Sequence, residues 1–187
     1  MKLFMQTILI FIFFVILTGL IYPLFITVIG KIVFKNQAYG SLVVRDGKVI
    51  GSELIGELYT NNMYFQGRPS AVNYDATNSG ADNYGASSSN LISAVSNNIE
   101  NVKKSDHISP GVIIPSDMVT SSASGLDPDI SVQNALIQAK RIAFARKIPL
   151  DAVLKIINRY KKTPVLGFWD RETVNVLKMN IALDDLK

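Results

Sequence analysis

The chain is 187 residues long, with a net charge of +4, no cysteine and a single histidine. A domain takes roughly 100 to 200 residues, which leaves room for one domain and a further element. The lack of cysteine excludes disulfides, thiolate metal sites, a cysteine nucleophile and a lipid-modified cysteine anchor, and the modest charge excludes the concentrated basic face of a nucleic-acid binder.

Residues 3–30 carry no charge, and residues 8–30 read ILIFIFFVILTGLIYPLFITVIG. A helix crosses a hydrocarbon core of about 30 Å with roughly 20 apolar residues, so this stretch is expected to span a membrane with some tilt. A cleaved signal peptide has a shorter apolar core and a small-residue cleavage site. Here Tyr22, Pro23, Leu24 and Phe25 stand in that place, so residues 1–35 read as an uncleaved anchor and its flanks. Gly19, Pro23, Thr27 and Gly30 recur at i, i+4, i+8 and i+11 and stack on one helix face. Small residues on a face let a second helix approach closely in lipid, which makes these four the candidate partner-binding surface. Pro23 also removes the usual donor to the Gly19 carbonyl. Lys2 lies before the span and Lys31, Lys35, Arg45 and Lys48 after it. Long domains translocate largely regardless of so small a bias, so charge leaves the side of the large domain open.

Residues 36–187 read as one soluble α+β domain, mixed α/β in its short strands and amphipathic helices. The runs 41–44 and 48–51 flank Asp46-Gly47, a pair suited to the positive φ of a two-residue hairpin turn. A short strand is expected at 63–65, ended by Gly67-Arg68-Pro69. Residues 70–90 are mainly Ser, Asn, Gly, Ala and Asp, and cannot bury enough apolar surface for regular structure. Such a long loop is either functional or a flexible linker. Asn90 is expected to cap a helix carrying Leu91, Val95, Ile99 and Val102, ending near Lys103-Lys104. A strand at 112–114 stops at Pro115. Ser131 caps a second helix with Val132, Ala135, Leu136, Ala139, Ile142 and Ala143 inward, and Pro149 breaks it. A third helix, 151–160, turns Val153, Leu154, Ile157 and Tyr160 inward. Residues 173–177 are rich in β-branched side chains, and 179–186 finish as strand or short helix.

Few residues point to chemistry. His107 stands in a polar loop beside Pro110-Gly111, where it reads as solvated. Residues 120–125 offer hydroxyls without a G-x-S-x-G elbow, so they read as a turn whose side chains satisfy backbone N–H groups. Asp127-Pro128-Asp129 lacks the further acids, Gly and distant Glu of an EF-hand and reads as a proline-fixed turn. Lys140, Arg141, Arg146 and Lys147 read as a solvated helix end matched to the dipole. No G-x-x-x-x-G-K-[ST] loop is present, and one span alone makes no alternating-access path.

Four ordered motifs give a stronger signal: residues 51–56 (GSELIG), residues 64–71 (YFQGRPSA), residues 120–131 (TSSASGLDPDIS) and residues 174–177 (VNVL), after a span containing Tyr22-Pro23. In order and spacing they resemble the KdpC family, the C subunit of the Kdp high-affinity potassium-transporting P-type ATPase. The resemblance covers nearly the whole chain. It implies a non-catalytic subunit of the cell membrane, single-pass, with its C-terminal domain extracytoplasmic near the outer mouth of the potassium path. The implied partners are a channel-like potassium-binding subunit (KdpA), an ATP-hydrolysing subunit (KdpB) and a small single-span subunit (KdpF), besides membrane lipid and no nucleic acid. The resemblance implies a role in assembly and a proposed one as a catalytic chaperone raising ATP affinity, with ATP and K+ belonging to the complex. It marks Tyr64, Phe65, Gly67, Arg68, Pro69, Ser124, Gly125, Leu126, Asp127 and Asn175 as motif residues without an assigned role. Gln66 stands where the family commonly has His. Two rival readings remain: a membrane-anchored serine hydrolase using Ser121, Ser122 or Ser124 with Asp127, and a ligand-sensing domain on an anchor.

Overall fold

In the computed structural model, which describes residues 1–163 and 171–186, the chain falls into two compact units, Met1–Leu42 and Val43–Lys187. The first is helical: α1 (Lys2–Ile16), a π-helical turn (Leu17–Ile21), α2 (Tyr22–Val33) and the single turn α3 (Lys35–Ala38). Residues Lys2–Val33 form one helix, 32 residues long and apolar enough to cross a membrane. None of its side chains is buried by protein.

The π turn sits just before Pro23, and the cause is local. Proline donates nothing to the carbonyl four residues back, and its ring crowds that carbonyl. The widened turn instead lets the Tyr22 N–H reach the Leu17 oxygen. Two threonines supply further donors, Thr18 Oγ1 to Phe14 O and Thr27 Oγ1 to Pro23 O, each at 2.7 Å.

The second unit opens with the hairpin β1 (Leu42–Arg45) and β2 (Lys48–Ser52). Asp46 (φ 51°) and Gly47 (φ 76°) supply the two left-handed residues of the turn, as their sequence requires. After a long stretch without regular structure come α4 (Ser89–Ser105), a 3-10 turn (Ser116–Met118), β3 (Asp129–Ser131), α5 (Val132–Arg146), α6 (Leu150–Tyr160), β4 (Lys161–Lys162), β5 (Thr173–Asn175) and α7 (Val176–Asp184). The fold class is mixed helix and sheet, as expected. The three short strands lie in the order β3-β5-β4, antiparallel throughout, with Val174 opposite both Ile130 and Lys161. Against them pack α5, α6 and α7 through Ala135, Ala139, Ile142, Val153, Ile157, Met179 and Leu183, and Phe65 joins this core from the irregular stretch.

Several expectations need correction. α4 begins at Ser89 with Ser88 at its N-cap position, two residues ahead of the expected cap Asn90. Its apolar positions Leu91, Val95, Ile99 and Val102 are only half-buried. Residues 112–114 are not a strand, and Ile113 is 89% exposed. Leu136, placed inward by periodicity, is exposed. Ser131 does cap α5, accepting from the Asn134 N–H at 3.1 Å, yet α5 ends on Lys147 in the left-handed conformation (φ 57°) rather than at Pro149. Pro149 precedes α6, where its fixed φ and missing N–H cost nothing.

Candidate functional site

The motif residues are not scattered. Residues 64–70 run as an irregular strand-like segment between the helices and the 120–127 turn. The strand expected at 63–65 does not form, because side chains take the place of a neighbouring strand. The Phe65 N–H donates to Asn180 Oδ1 at 2.8 Å and Asn180 Nδ2 donates to the Phe65 carbonyl at 2.9 Å. One residue on, Gln66 N–H donates to Gln138 Oε1 at 2.8 Å and Gln138 Nε2 to Gln66 O at 3.0 Å. Each amide thus satisfies the N–H and the C=O of one residue, as a β partner would. Asn180 on α7 and Gln138 on α5 are both almost wholly buried.

Behind this ladder lies a polar network. Arg141, expected to be solvated, is enclosed: its side chain is 4% exposed and pairs with Asp106, 3% exposed, at 2.7 Å. It also donates to Asn62 O, Tyr64 O and Gln138 Oε1. Gln138 Nε2 reaches Asn134 Oδ1, and Asn134 Nδ2 reaches Asp117, which also accepts from Ser131. Arg146 pairs with Asp184 at 2.7 Å and lies over the Tyr64 ring, 4.7 Å from its centre, while Tyr64 donates to Asp184. Lys140 and Lys147 alone of that cluster are exposed.

The second half of the motif set locks to the first. Arg68 pairs with Asp127 at 3.0 Å and donates to Ser121 O; its buried Nε has no acceptor among the described residues. Pro69 follows directly, and Ser70 Oγ donates to Gly125 O at 2.7 Å. Ser124 Oγ accepts from the Leu126 N–H, and Leu126 O accepts from Gly56 N–H at 2.8 Å. Gly125 has φ +67°, and a Cβ there would lie 2.9 Å from Gly80 O. Tyr74, missed from the sequence, closes the knot: its hydroxyl donates to Arg68 O, and a Cβ on Gly67 or Gly56 would collide with its ring or hydroxyl. Burial pushes the Tyr74 phenol up to about 12, the Asp127 carboxylate adding to this and Arg68 opposing it. Asn175 caps α7, accepting from Lys178 N–H at 3.0 Å, and donates to Glu53 O across the domain.

Among the described residues, the hydroxyl-rich turn meets its expected role only at Ser124, which takes the Leu126 N–H. Ser121 Oγ instead donates to Asp82 at 2.9 Å, and Thr120 Oγ1 to Ser116 O. Asp127 accepts from Arg68 and from the Asp129 N–H; among the described residues no hydrogen bond joins it to Ser121, Ser122 or Ser124. Asp129 pairs with Lys162 at 2.7 Å. His107 is exposed in a loop with φ 50°. Among the described residues no three acidic or histidine side chains gather as a metal site. On the apolar helix, a Cβ on Gly19 or Gly30 would meet nothing within 4 Å.

Beside the ladder opens a cleft of about 420 Å³, walled by Tyr59, Gln66, Arg68 and Asn73 on one side and Asn98 and Asn101 of α4 on the other. Burial, then the neighbouring Glu57 charge, raises the Tyr59 phenol; burial likewise raises Glu57, against the hydrogen bond from Tyr59.

Comparison with known proteins bears on all these residues. The family model described as "KdpC: K+-transporting ATPase, c chain" matches residues 4–185. Among curated proteins, the potassium-transporting ATPase KdpC subunit of Caldanaerobacter subterraneus subsp. tengcongensis is 44% identical over 173 residues, covering 91% of this chain and 88% of its own length. Those of Mycobacterium tuberculosis and Herminiimonas arsenicoxydans are 42% and 46% identical over 175 and 169 residues, covering 92% and 89% of this chain and 93% and 88% of their own.

Proposed function

Since the chain belongs to the KdpC family of potassium-transporting ATPase subunits, we propose that it is the accessory subunit that holds together an ATP-driven potassium importer. In this reading the apolar helix is a single membrane span of the cell membrane. The domain stands on the extracytoplasmic side, against a channel-like potassium-binding subunit and an ATP-hydrolysing subunit, with a small single-span subunit beside them. ATP and K+ act at the level of the complex.

The observation that carries this reading is the use to which the matched residues are put. Tyr64, Phe65, Gly67, Arg68, Ser124, Gly125, Leu126, Asp127 and Asn175 are engaged with one another, with loop residues such as Tyr74 and Gly80, or with α7. Residues that fix one another's positions in this way specify a rigid shape, and a rigid shape suits a docking element. Any effect on ATP affinity then travels as a coupling free energy through the membrane helices, because an extracytoplasmic domain does not touch cytoplasmic nucleotide.

The face of Gly19, Pro23, Thr27 and Gly30 is the proposed membrane contact. The open space over both glycines leaves room for a neighbouring helix backbone. Gly19→Leu with Gly30→Leu should lower co-purification of the two large subunits about ten-fold, as expected when a close helix contact worth roughly 1.4 kcal/mol is lost. Unchanged yield would refute this contact.

A further inference from the structure

We propose that the cleft between α4 and residues 58–74 takes an extended, uncharged peptide segment of a partner subunit, held by side-chain amides. This rests on the subunit reading above and gives it a specific docking site.

The domain already contains a working example of such recognition. Asn180 and Gln138 hold the peptides of Phe65 and Gln66 by paired donor and acceptor contacts. The cleft begins where that ladder stops, at Gln66, and presents the same chemistry outward. Asn98 and Asn101 lie on α4 and Asn73 faces them from the loop. Asn98 uses only its Nδ2, toward Val119 O, and Asn73 and Asn101 make no side-chain hydrogen bond among the described residues. Each free amide offers a donor and an acceptor, the complement of a peptide group.

Charge narrows the ligand further. Among the described residues, Arg68 is the one charged residue lining the cleft, and Asp127 compensates it at 3.0 Å. Neither a phosphate nor a bare cation finds an unmatched charge there. A volume of about 420 Å³ suits a few residues of extended chain rather than a folded element. The rim is also preset: Asn73 (φ 51°) and Tyr74 (φ 60°) are consecutive left-handed residues, a costly conformation held by Ser70 Oγ accepting from Tyr74 N–H at 2.9 Å.

The test uses the full chain co-expressed with the other subunits, carrying the photo-reactive residue p-benzoylphenylalanine in place of Asn97, an exposed α4 residue one turn from Asn101 and outside the cleft lining. Irradiation should yield an adduct with a large subunit that maps by mass spectrometry to an extended, uncharged segment. Asn101→Trp, which fills the cleft from an exposed helix position, should lower the yield of complex about ten-fold, whereas Asn101→Gln keeps it; a ten-fold change corresponds to 1.4 kcal/mol. The melting temperature of the full chain should be the same in both variants. An intact complex that gives no subunit adduct overturns the cleft alone, as does wild-type yield from Asn101→Trp or a sugar found bound there by native mass spectrometry. A wild-type chain that fails to bring down the large subunits overturns the subunit reading itself.

Discussion

Replacing Arg141 by Met is expected to destabilise the full chain by about 3–5 kcal/mol, the range seen when one partner of a buried ion pair is removed. The side chain of Asp106 is 3% exposed, so its carboxylate would be left in the protein interior without a counter-charge. The carbonyls of Asn62 and Tyr64 would lose their donor at the same time. For a chain of this size the melting temperature should fall by roughly 10 °C, read by circular dichroism in detergent. The double variant Asp106→Leu with Arg141→Met should recover part of the loss, because the cost lies in the unpaired charge more than in the missing attraction. A single variant that melts within a degree of wild type would show the pair to be solvated after all.

The second large effect is expected at Asn180. Changing it to Leu keeps the branching of the side chain at Cγ but removes both contacts to Phe65, whose residue is wholly buried. An unsatisfied buried N–H and C=O together cost about 2–4 kcal/mol. Part of that should appear locally, as hydrogen exchange of the Phe65 and Gln66 amides at least about ten-fold faster, equivalent to 1.4 kcal/mol in the opening equilibrium. Unchanged protection at both amides would mean that packing rather than the amide ladder holds residues 64–70. The same segment feeds Arg68 and Ser70 into the 120–127 turn, so its loosening would also blur the surface offered to a partner.

What the sequence makes legible is what local rules govern. Asp46-Gly47 dictates its hairpin turn, Ser131 its helix cap, and the uncharged run before Lys31 its long apolar helix. The periodicity of α6 places Val153 and Ile157 in the core without help from other elements. Two of the failures share one cause, long-range polar pairing. Residues 63–65 have the composition of a strand, but Phe65 is paired by the side chain of Asn180, 115 positions away, and the next residue, Gln66, by Gln138, 72 positions away. Arg141 reads as a solvated helix-end charge until Asp106 is brought to it from 35 residues earlier. A trace of this was present: Asn134, Gln138 and Arg141 recur at i, i+4 and i+7, a polar stripe beside the buried Ala135, Ala139 and Ile142. α4 shows the opposite case. Its apolar spacing is regular, but little packs over it, so periodicity overstates its burial.

The motif residues were found as a set by resemblance, while their roles came only with the geometry. Glycines 56, 67 and 125 illustrate why. Each permits a close approach to a residue beyond its own turn, Tyr74 or the backbone of Asp127 and Gly80, and nothing in the flanking residues announces that neighbour.

The central claim is that this chain acts by holding the large subunits together. The most direct measurement is K+-stimulated ATP hydrolysis by the two large subunits, purified through a tag on one of them after expression with and without this chain. With it, both large subunits should elute together and hydrolyse ATP in response to K+. Without it, the tagged subunit should elute alone, with stimulation lost. Full K+-stimulated hydrolysis by a stable pair lacking this chain would contradict the account.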